Sequence, residues 1–350
     1  MTRFSFLSRI LAAVAAVFLG AGLQGSPGHA AGPRVSINLA QCCPPEQAYG
    51  AYAHGFADAM KAASKGEIVV KNLDGGVMGS EQDMAQKVRL GTLQMAAVTS
   101  NNVAQLAPSI NVLVLPYLNS KPSDLLGEKG LLRPGPWLDA LNERVLKESG
   151  SIRIIGGFTN DFRKFFTKNR CVETLGDLKG LKIRMPKNPV FEKMWGAWGV
   201  STYPIAWSET FGAIQQGVAD AFDSPLDVIP TMGFHKYIKY ITDTAYLPQA
   251  ALLIVNEKWF QGLAPADRAL IMQTADRNDQ WHYQWVASKQ ASIRAELESK
   301  HGTTFCTLKD AGEWERLARS TWPDLYGLVG GGKAWVDATL AYKQTGSMPR

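Results

Sequence analysis

Residues 180–186 read Gly180-Leu181-Lys182-Ile183-Arg184-Met185-Pro186. Apolar Leu181, Ile183 and Met185 alternate with Lys182 and Arg184, the period of a strand with one face toward a core. Gly180 opens the segment, and Pro186 closes it because proline has no N–H to give a ladder. Arg184 is therefore expected near a strand end, where open α/β folds place their ligand crevice. Its guanidinium is a planar fork of donors suited to a carboxylate or phosphate. A surface ion pair is the competing reading, and the rest of the chain decides between the two.

Outward from this segment, strand and helix patterns alternate. On the N-terminal side Val35 to Leu39 reads as a strand, Cys42-Cys43-Pro44-Pro45 as a loop, and Ala48 to Ala63 as a helix. That helix sets Tyr52, Phe56, Met60 and Ala63 on one face. Glu67 to Leu73 is a second strand, followed by the turn Asp74-Gly75-Gly76-Val77-Met78-Gly79. Ser80 and Asp83 then have the spacing of a capping box. The turn lacks the glycine spacings of a dinucleotide fold or P-loop, so a simple cap is expected rather than a nucleotide site. Leu93 to Val98 is a short strand entering the polar loop Thr99-Ser100-Asn101-Asn102, and Val112 to Leu115 is another, stopped by Pro116. The repeat of about thirty residues is that of βαβ units and predicts a mostly parallel sheet.

Ile152 to Phe158 begins a second such unit. It continues through Phe165-Phe166-Thr167, the Arg184 strand, a helix from Pro189 to Trp198, a helix from Ser208 to near Gly217, and a strand from Ala219 to Phe222. The strand pattern returns at Leu252 to Val255. From Pro265 to Lys300 there is no glycine and no further proline. A continuous helix there would be about 54 Å long, more than one small domain needs, so it crosses both lobes or is kinked. Gly330 to Gly332 reads as a surface turn.

Arg3 and Arg9, the apolar run Ile10 to Leu19, and Gly28-His29-Ala30 compose an export signal over residues 1–30, with a retained anchor as the alternative. Removing thirty of 350 residues leaves about 320, which suits two domains. Loss of Arg3 and Arg9 takes the formal charge from +6 to +4. Lys and Arg are scattered, without the basic runs that nucleic-acid binding shows, and no nucleic acid is expected. The cysteines are Cys42, Cys43, Cys171 and Cys306. In an oxidising compartment Cys171 and Cys306 are one conceivable pair; adjacent Cys42 and Cys43 are not expected to bond each other. Zinc spacing is absent.

The chain carries no G-x-S-x-G elbow, and His54, His235, His282 and His301 have no motif around them. Asp220, Asp223 and Asp227 lack the spacing of a calcium loop and read as hinge and cap residues rather than a cation site. Trp195 and Trp198 read as core. Neither catalysis, a metal nor a cofactor is indicated.

Two runs carry a family resemblance: Asp161-Phe162-Arg163-Lys164-Phe165-Phe166-Thr167-Lys168-Asn169-Arg170, and Leu175-Gly176-Asp177-Leu178-Lys179-Gly180-Leu181-Lys182-Ile183-Arg184. With Leu90-Gly91-Thr92-Leu93-Gln94, the Gly75 to Glu81 turn, Trp207-Ser208-Glu209 and the run Ala213 to Asp220, they resemble TRAP-transporter solute-binding proteins, the DctP-like family. The resemblance spans nearly the whole mature chain in order. It implies a two-lobed α/β periplasmic-binding-protein fold (type II-like), with a long helix spanning both lobes. Lobe I is expected over 31–159 plus 247–288, and lobe II over 160–246 plus 289–350.

The same resemblance implies a monomeric periplasmic protein. It would close on an organic acid and deliver it to the small and large membrane subunits of an ion-gradient-driven transporter. A receptor-linked sensor is the alternative, and an exported enzyme on this scaffold a lesser one. In the family the arginine of the K-I-R-x-P segment pairs with the ligand carboxylate, a role carried to Arg184. The arginine before the F/Y-T segment assists, which points to Arg163. Ser224 takes the position of a ligand-contacting asparagine, and Phe222 replaces a polar residue. If Phe222 faces the cleft, the ligand is larger or more apolar than a C4-dicarboxylate; if it faces its own lobe, that inference lapses. Asn160, Glu81, Asn101, Cys43 and Trp207 complete the expected ligand contacts.

Overall fold

The computed structural model describes residues 33–349, so the expected export signal lies outside the described residues. The strands in chain order are β1 (Val35–Ala40), β2 (Ile68–Leu73), β3 (Met95–Thr99), β4 (Ile152–Phe158), β5 (Lys164–Thr167), β6 (Ile183–Met185), β7 (Thr202–Pro204), β8 (Ala221–Ser224), β9 (Tyr240–Thr242), β10 (Ala251–Asn256) and β11 (Thr304–Cys306). They form two sheets, ordered β2-β1-β3-β10-β4 and β11-β9-β5-β8-β6-β7. Each sheet belongs to one lobe.

The sheets are mixed rather than mostly parallel. β1 runs parallel to β2 and β3, and β6 parallel to β7 and β8. β10 is antiparallel to β3 and β4, and β5 antiparallel to β8 and β9. The reversals mark where the chain changes lobe: β4 leads across to β5, and β9 leads back to β10. The two crossing segments pair with each other, Arg163 N–H donating to the Leu247 carbonyl and Gln249 N–H to that of Asp161, both at 3.0 Å. A strand that enters a sheet from the other lobe arrives against the direction set by the βαβ crossovers.

The third crossing is the helix Pro265–His301, continuous over 37 residues and left by Gly302 in the left-handed conformation. Ile271 and Ala275 pack in the core around helix Ala48–Ala63, whereas Leu297 packs in the second lobe with Phe166 and Phe234. The helix therefore spans both lobes as one uninterrupted element.

Helix Ala48–Ala63 keeps its expected bounds because Gln47 caps it and Tyr52, Phe56 and Met60 are buried. The Ser80–Asp83 capping box starts helix Glu81–Leu90, the Ser80 side chain accepting from Asp83 N–H and the Asp83 side chain from Ser80 N–H. Val112 to Leu115 is not a strand. Residues Pro108–Val114 are a 3-10 helix, proline-initiated and buried on all sides, where an apolar run carries no period to separate strand from helix. Trp195 and Trp198 are core, packed with Trp314 and Tyr246. Cys171 and Cys306 form a disulfide that ties β11 to the segment after β5.

Candidate ligand-binding site

β6 is an inner strand with β7 on one side and β8 on the other. Ile183 and Met185 enter the core. Arg184 turns instead to a cleft between the lobes that bounds about 460 Å³ of atom-free space, part of it continuous with solvent. It is only 2 % exposed. Its Nε donates to the Ile205 carbonyl at 3.0 Å, and its guanidinium stands 5.5 Å from the centre of the Trp207 ring. Among the described residues no carboxylate comes within ion-pair distance of it. Burial, and then the neighbouring Arg163 cation, push its pKa down to about 9; Asp223 and Glu81 only partly oppose this. The terminal nitrogens of a buried cation are thus left for an anion that the described residues do not supply.

Arg163 lines the same cleft but is compensated. Its Nε pairs with Asp223 Oδ2, one terminal nitrogen donates to Gln249 Oε1, and the other donates to the Asp223 carbonyl at 2.7 Å. Tyr246 also donates to the Asp223 carboxylate. Arg163 therefore contributes positive potential more than free donors.

From Gln249 a chain of hydrogen bonds follows the cleft wall. Gln249 Nε2 donates to Tyr49 Oη (3.1 Å), Tyr49 to Thr99 Oγ1 (2.7 Å), and Thr99 Oγ1 to Glu81 Oε1 (2.9 Å). Glu81 also accepts from Thr99 N–H and Asn102 Nδ2, each at 2.7 Å. Burial raises the Glu81 pKa, while the Thr99 donors and then Arg184 and Arg163 oppose that rise. Glu81 can be held here because the capping box puts it at the first position of its helix, aimed into the cleft.

Asp227 joins the lobes. Its Oδ2 accepts from Gln47 Nε2 (2.6 Å) and Ala48 N–H (3.1 Å), capping helix Ala48–Ala63 from across the cleft. Asn160 Nδ2 lies 3.4 Å from its other oxygen, and Asn160 Oδ1 is buried without a partner. Further cross-lobe bonds run from Asn188 Nδ2 to the Asn101 carbonyl and Asn111 Oδ1, and from Gln105 to the Lys187 carbonyl.

Arg184, Arg163, Ser224, Asn160, Glu81, Asn101, Cys43 and Trp207 all line this one cleft. Phe222 does not. Its ring lies in the second lobe's core, 5.0 Å from Phe166 and 4.7 Å from Phe234, and backs Trp207 from below. β8 is covered on both faces, so an aromatic there fills core, and the inference of a more apolar ligand drawn from Phe222 lapses. Asp223, Gln47, Tyr49, Thr99, Asn102, Asp227 and Gln249 were not among the expected contacts. Asp227 does act as a cap, as read from the sequence, though of a helix in the other lobe; Thr99 and Asn102 lie in the stretch read as a polar loop after Val98, and the remaining residues acquire their roles only when distant segments meet. No group of His, Cys, Asp or Glu among the described residues is arranged to hold a metal ion.

The family model for bacterial extracellular solute-binding proteins, family 7 (DctP), matches residues 39–327. The chain belongs to that family. The resemblance to TRAP-transporter solute-binding proteins therefore holds. This solute-binding protein is 27% identical over 238 residues to the 2,3-diketo-L-gulonate-binding periplasmic protein YiaO of Escherichia coli, covering 68% of this chain and 71% of the relative. Among solved structures, an open, ligand-free TRAP periplasmic solute-binding protein of Rhodobacter sphaeroides is 28% identical, with a TM-score of 0.73 over 89% of this chain and 100% of the other. One from Roseobacter denitrificans, bound to L-galactonate, shares the fold at 22% identity, with a TM-score of 0.78 over 87% and 99%. The family is one of extracytoplasmic binding proteins, and no helix of the described residues is long and apolar enough to cross a membrane.

Proposed function

We infer that this protein captures an organic acid bearing several hydroxyl groups between its lobes and releases it intact to the small and large membrane subunits of a TRAP-type transporter. Arg184 carries the reading: it is a buried guanidinium with no carboxylate partner, so a ligand carboxylate supplies the missing charge. Around it the cleft offers amides, hydroxyls and the Glu81 carboxylate, groups that bond sugar-like hydroxyls, beside an apolar wall that includes Trp207 and Val228. The partnerless Asn160 Oδ1 is one acceptor for such a hydroxyl. The relatives named for 2,3-diketo-L-gulonate and L-galactonate support the same class of ligand.

Closure is a hinge motion. The paired segments between β4 and β5 and between β9 and β10 serve as the hinge, and the long helix provides the third connection. The last helix, Gly332–Thr345, expected in the second lobe, packs against the first instead: Trp335 stacks on Trp137 and donates to the Ser109 carbonyl. Bonds such as Asp227 to Gln47 and Ala48 form only in the closed arrangement, so a ligand that completes the cleft shifts the equilibrium toward it.

A thermal-shift screen of aldonates, uronates, simple dicarboxylates and aromatic acids tests this. A ligand at a hundred times its Kd adds about 2.7 kcal/mol to folding stability. At least one hydroxylated carboxylate should raise the midpoint, with its mass unchanged after incubation. A rise with aromatic acids alone contradicts the ligand class, and turnover of the bound compound contradicts the transport role.

A further inference from the structure

Cys42 and Cys43 stand on the cleft wall beside Trp207, and the function proposed above gives neither a role. Their sulfurs lie 2.6 Å apart, well inside the nonbonded contact distance of two sulfur atoms. The backbone holds them there. Cys43 N–H donates to Gln41 Oε1 at 2.5 Å, and Gln41 Nε2 donates to the Cys43 carbonyl at 2.6 Å and to Asp74 Oδ1 at 2.7 Å. Gly75 N–H donates to the same carbonyl at 3.0 Å, and Gly76 N–H to that of Gln41, also at 3.0 Å. Both peptide carbonyls flanking the pair and the N–H between them are thereby bonded, which fixes the backbone from which the two side chains project. Elsewhere the chain already carries a disulfide, Cys171–Cys306.

We propose that Cys42 and Cys43 join in a vicinal disulfide, closing an eight-membered ring on the wall of the cleft. The oxidant is an external disulfide, either a protein dithiol oxidase in its oxidised form or a low-molecular-weight disulfide. Cys42 is half-buried and Cys43 buried, so Cys42 reacts first. Its thiol gives up a proton and attacks one sulfur of the external disulfide, and the other sulfur leaves as a thiol. The Cys43 thiol, in turn deprotonated, attacks the Cys42 sulfur of this mixed disulfide and expels the second external thiol. Two S–H bonds are replaced by one S–S bond, and the external disulfide is reduced to two thiols. In the dithiol state the wall presents two weak S–H donors, whereas the ring presents none. That consequence for the ligand rests on the function proposed above, but the ring itself does not.

The full-length precursor is exported to the periplasm, quenched in acid, denatured, alkylated with excess N-ethylmaleimide and digested with trypsin. The peptide Val35–Lys61 holds both cysteines. It is expected without maleimide and about 2 Da lighter than after reduction, two hydrogens being lost per disulfide. In Cys42→Ser the same peptide is expected to carry one maleimide, on Cys43. Because alkylation follows denaturation, buried thiols react as fully as exposed ones. Two maleimides on the natural peptide, or linkage of this peptide to another peptide or a second chain, overturns the proposal. No ligand enters this measurement, so its failure is distinguishable from failure of the transport reading.

Discussion

Asp223→Ala leaves Arg163 buried without its carboxylate. Asp223 is fully buried and Arg163 4 % exposed, so water cannot replace the lost partner cheaply. The variant also removes the acceptor of the Tyr246 hydroxyl. Breaking one side of such a buried pair costs about 3–5 kcal/mol, because the remaining charge stays desolvated. That is a large part of the 5–15 kcal/mol by which folded chains are commonly stable. Removing both charges in Arg163→Leu/Asp223→Ala eliminates the stranded cation, so the double variant should be more stable than Asp223→Ala alone. Urea titrations of the natural chain, both single variants and the double variant complete the cycle. A loss under about 1 kcal/mol for Asp223→Ala, or costs that simply add in the double variant, refutes the view of this pair as one coupled buried unit.

Three further outcomes are expected. Cys171→Ala/Cys306→Ala opens a loop with a sequence separation of 135 and should lower unfolding free energy by about 2–5 kcal/mol; an unchanged urea midpoint contradicts this. Ser80→Ala removes a reciprocal cap and should cost about 1 kcal/mol in the same assay, with no loss counting against the capping box. For Asp227, burial raises the pKa from 3.8 to about 6. Well below pH 3.8 both folded and unfolded states bind the proton; between about 4 and 6 the unfolded state has released it while the folded state still holds it, and above about 6 both are ionised and the loss levels off. Stability contributed by this group is therefore lost on raising the pH, by about 2.4 kcal/mol between pH 4 and pH 7. Asp227→Asn should lack that loss, so a stability difference between variant and natural chain that stays flat over this window contradicts the assignment.

Much of this fold is legible in the sequence where a segment carries its own period or cap. Helix Ala48–Ala63, the Ser80–Asp83 box, and the glycine-free run that becomes helix Pro265–His301 are of this kind. Strands β7, β9 and β11 span three residues each, as β6 does, but they lack the longer alternating run from Leu181 to Met185 that announces β6, and they exist because neighbouring strands accept them. Val112 to Leu115 fails for the opposite reason, being buried all round.

At the cleft, Arg184 is recognisable from its strand, but its lack of a partner is not, since that depends on where Asp223 and Glu81 come to lie. Asp223 is committed to Arg163 by the pairing of the crossing segments, and Phe222 is committed to the core by the two strands flanking β8. The chain from Gln249 through Tyr49 and Thr99 to Glu81 joins four separate stretches of sequence, and no local pattern announces it.

The central claim is that Arg184 anchors a ligand carboxylate. Calorimetric titration of the natural chain, Arg184→Lys and Arg184→Ala with the tightest-binding carboxylate of the screen tests it most directly. A charge-assisted contact of this kind contributes about 1.5–3 kcal/mol, so Arg184→Ala should bind roughly 10- to 150-fold more weakly. Arg184→Lys should also bind more weakly than the natural chain, because an ammonium cannot present two parallel donors. Affinities equal to that of the natural chain in both variants, with the fold intact, would contradict the account.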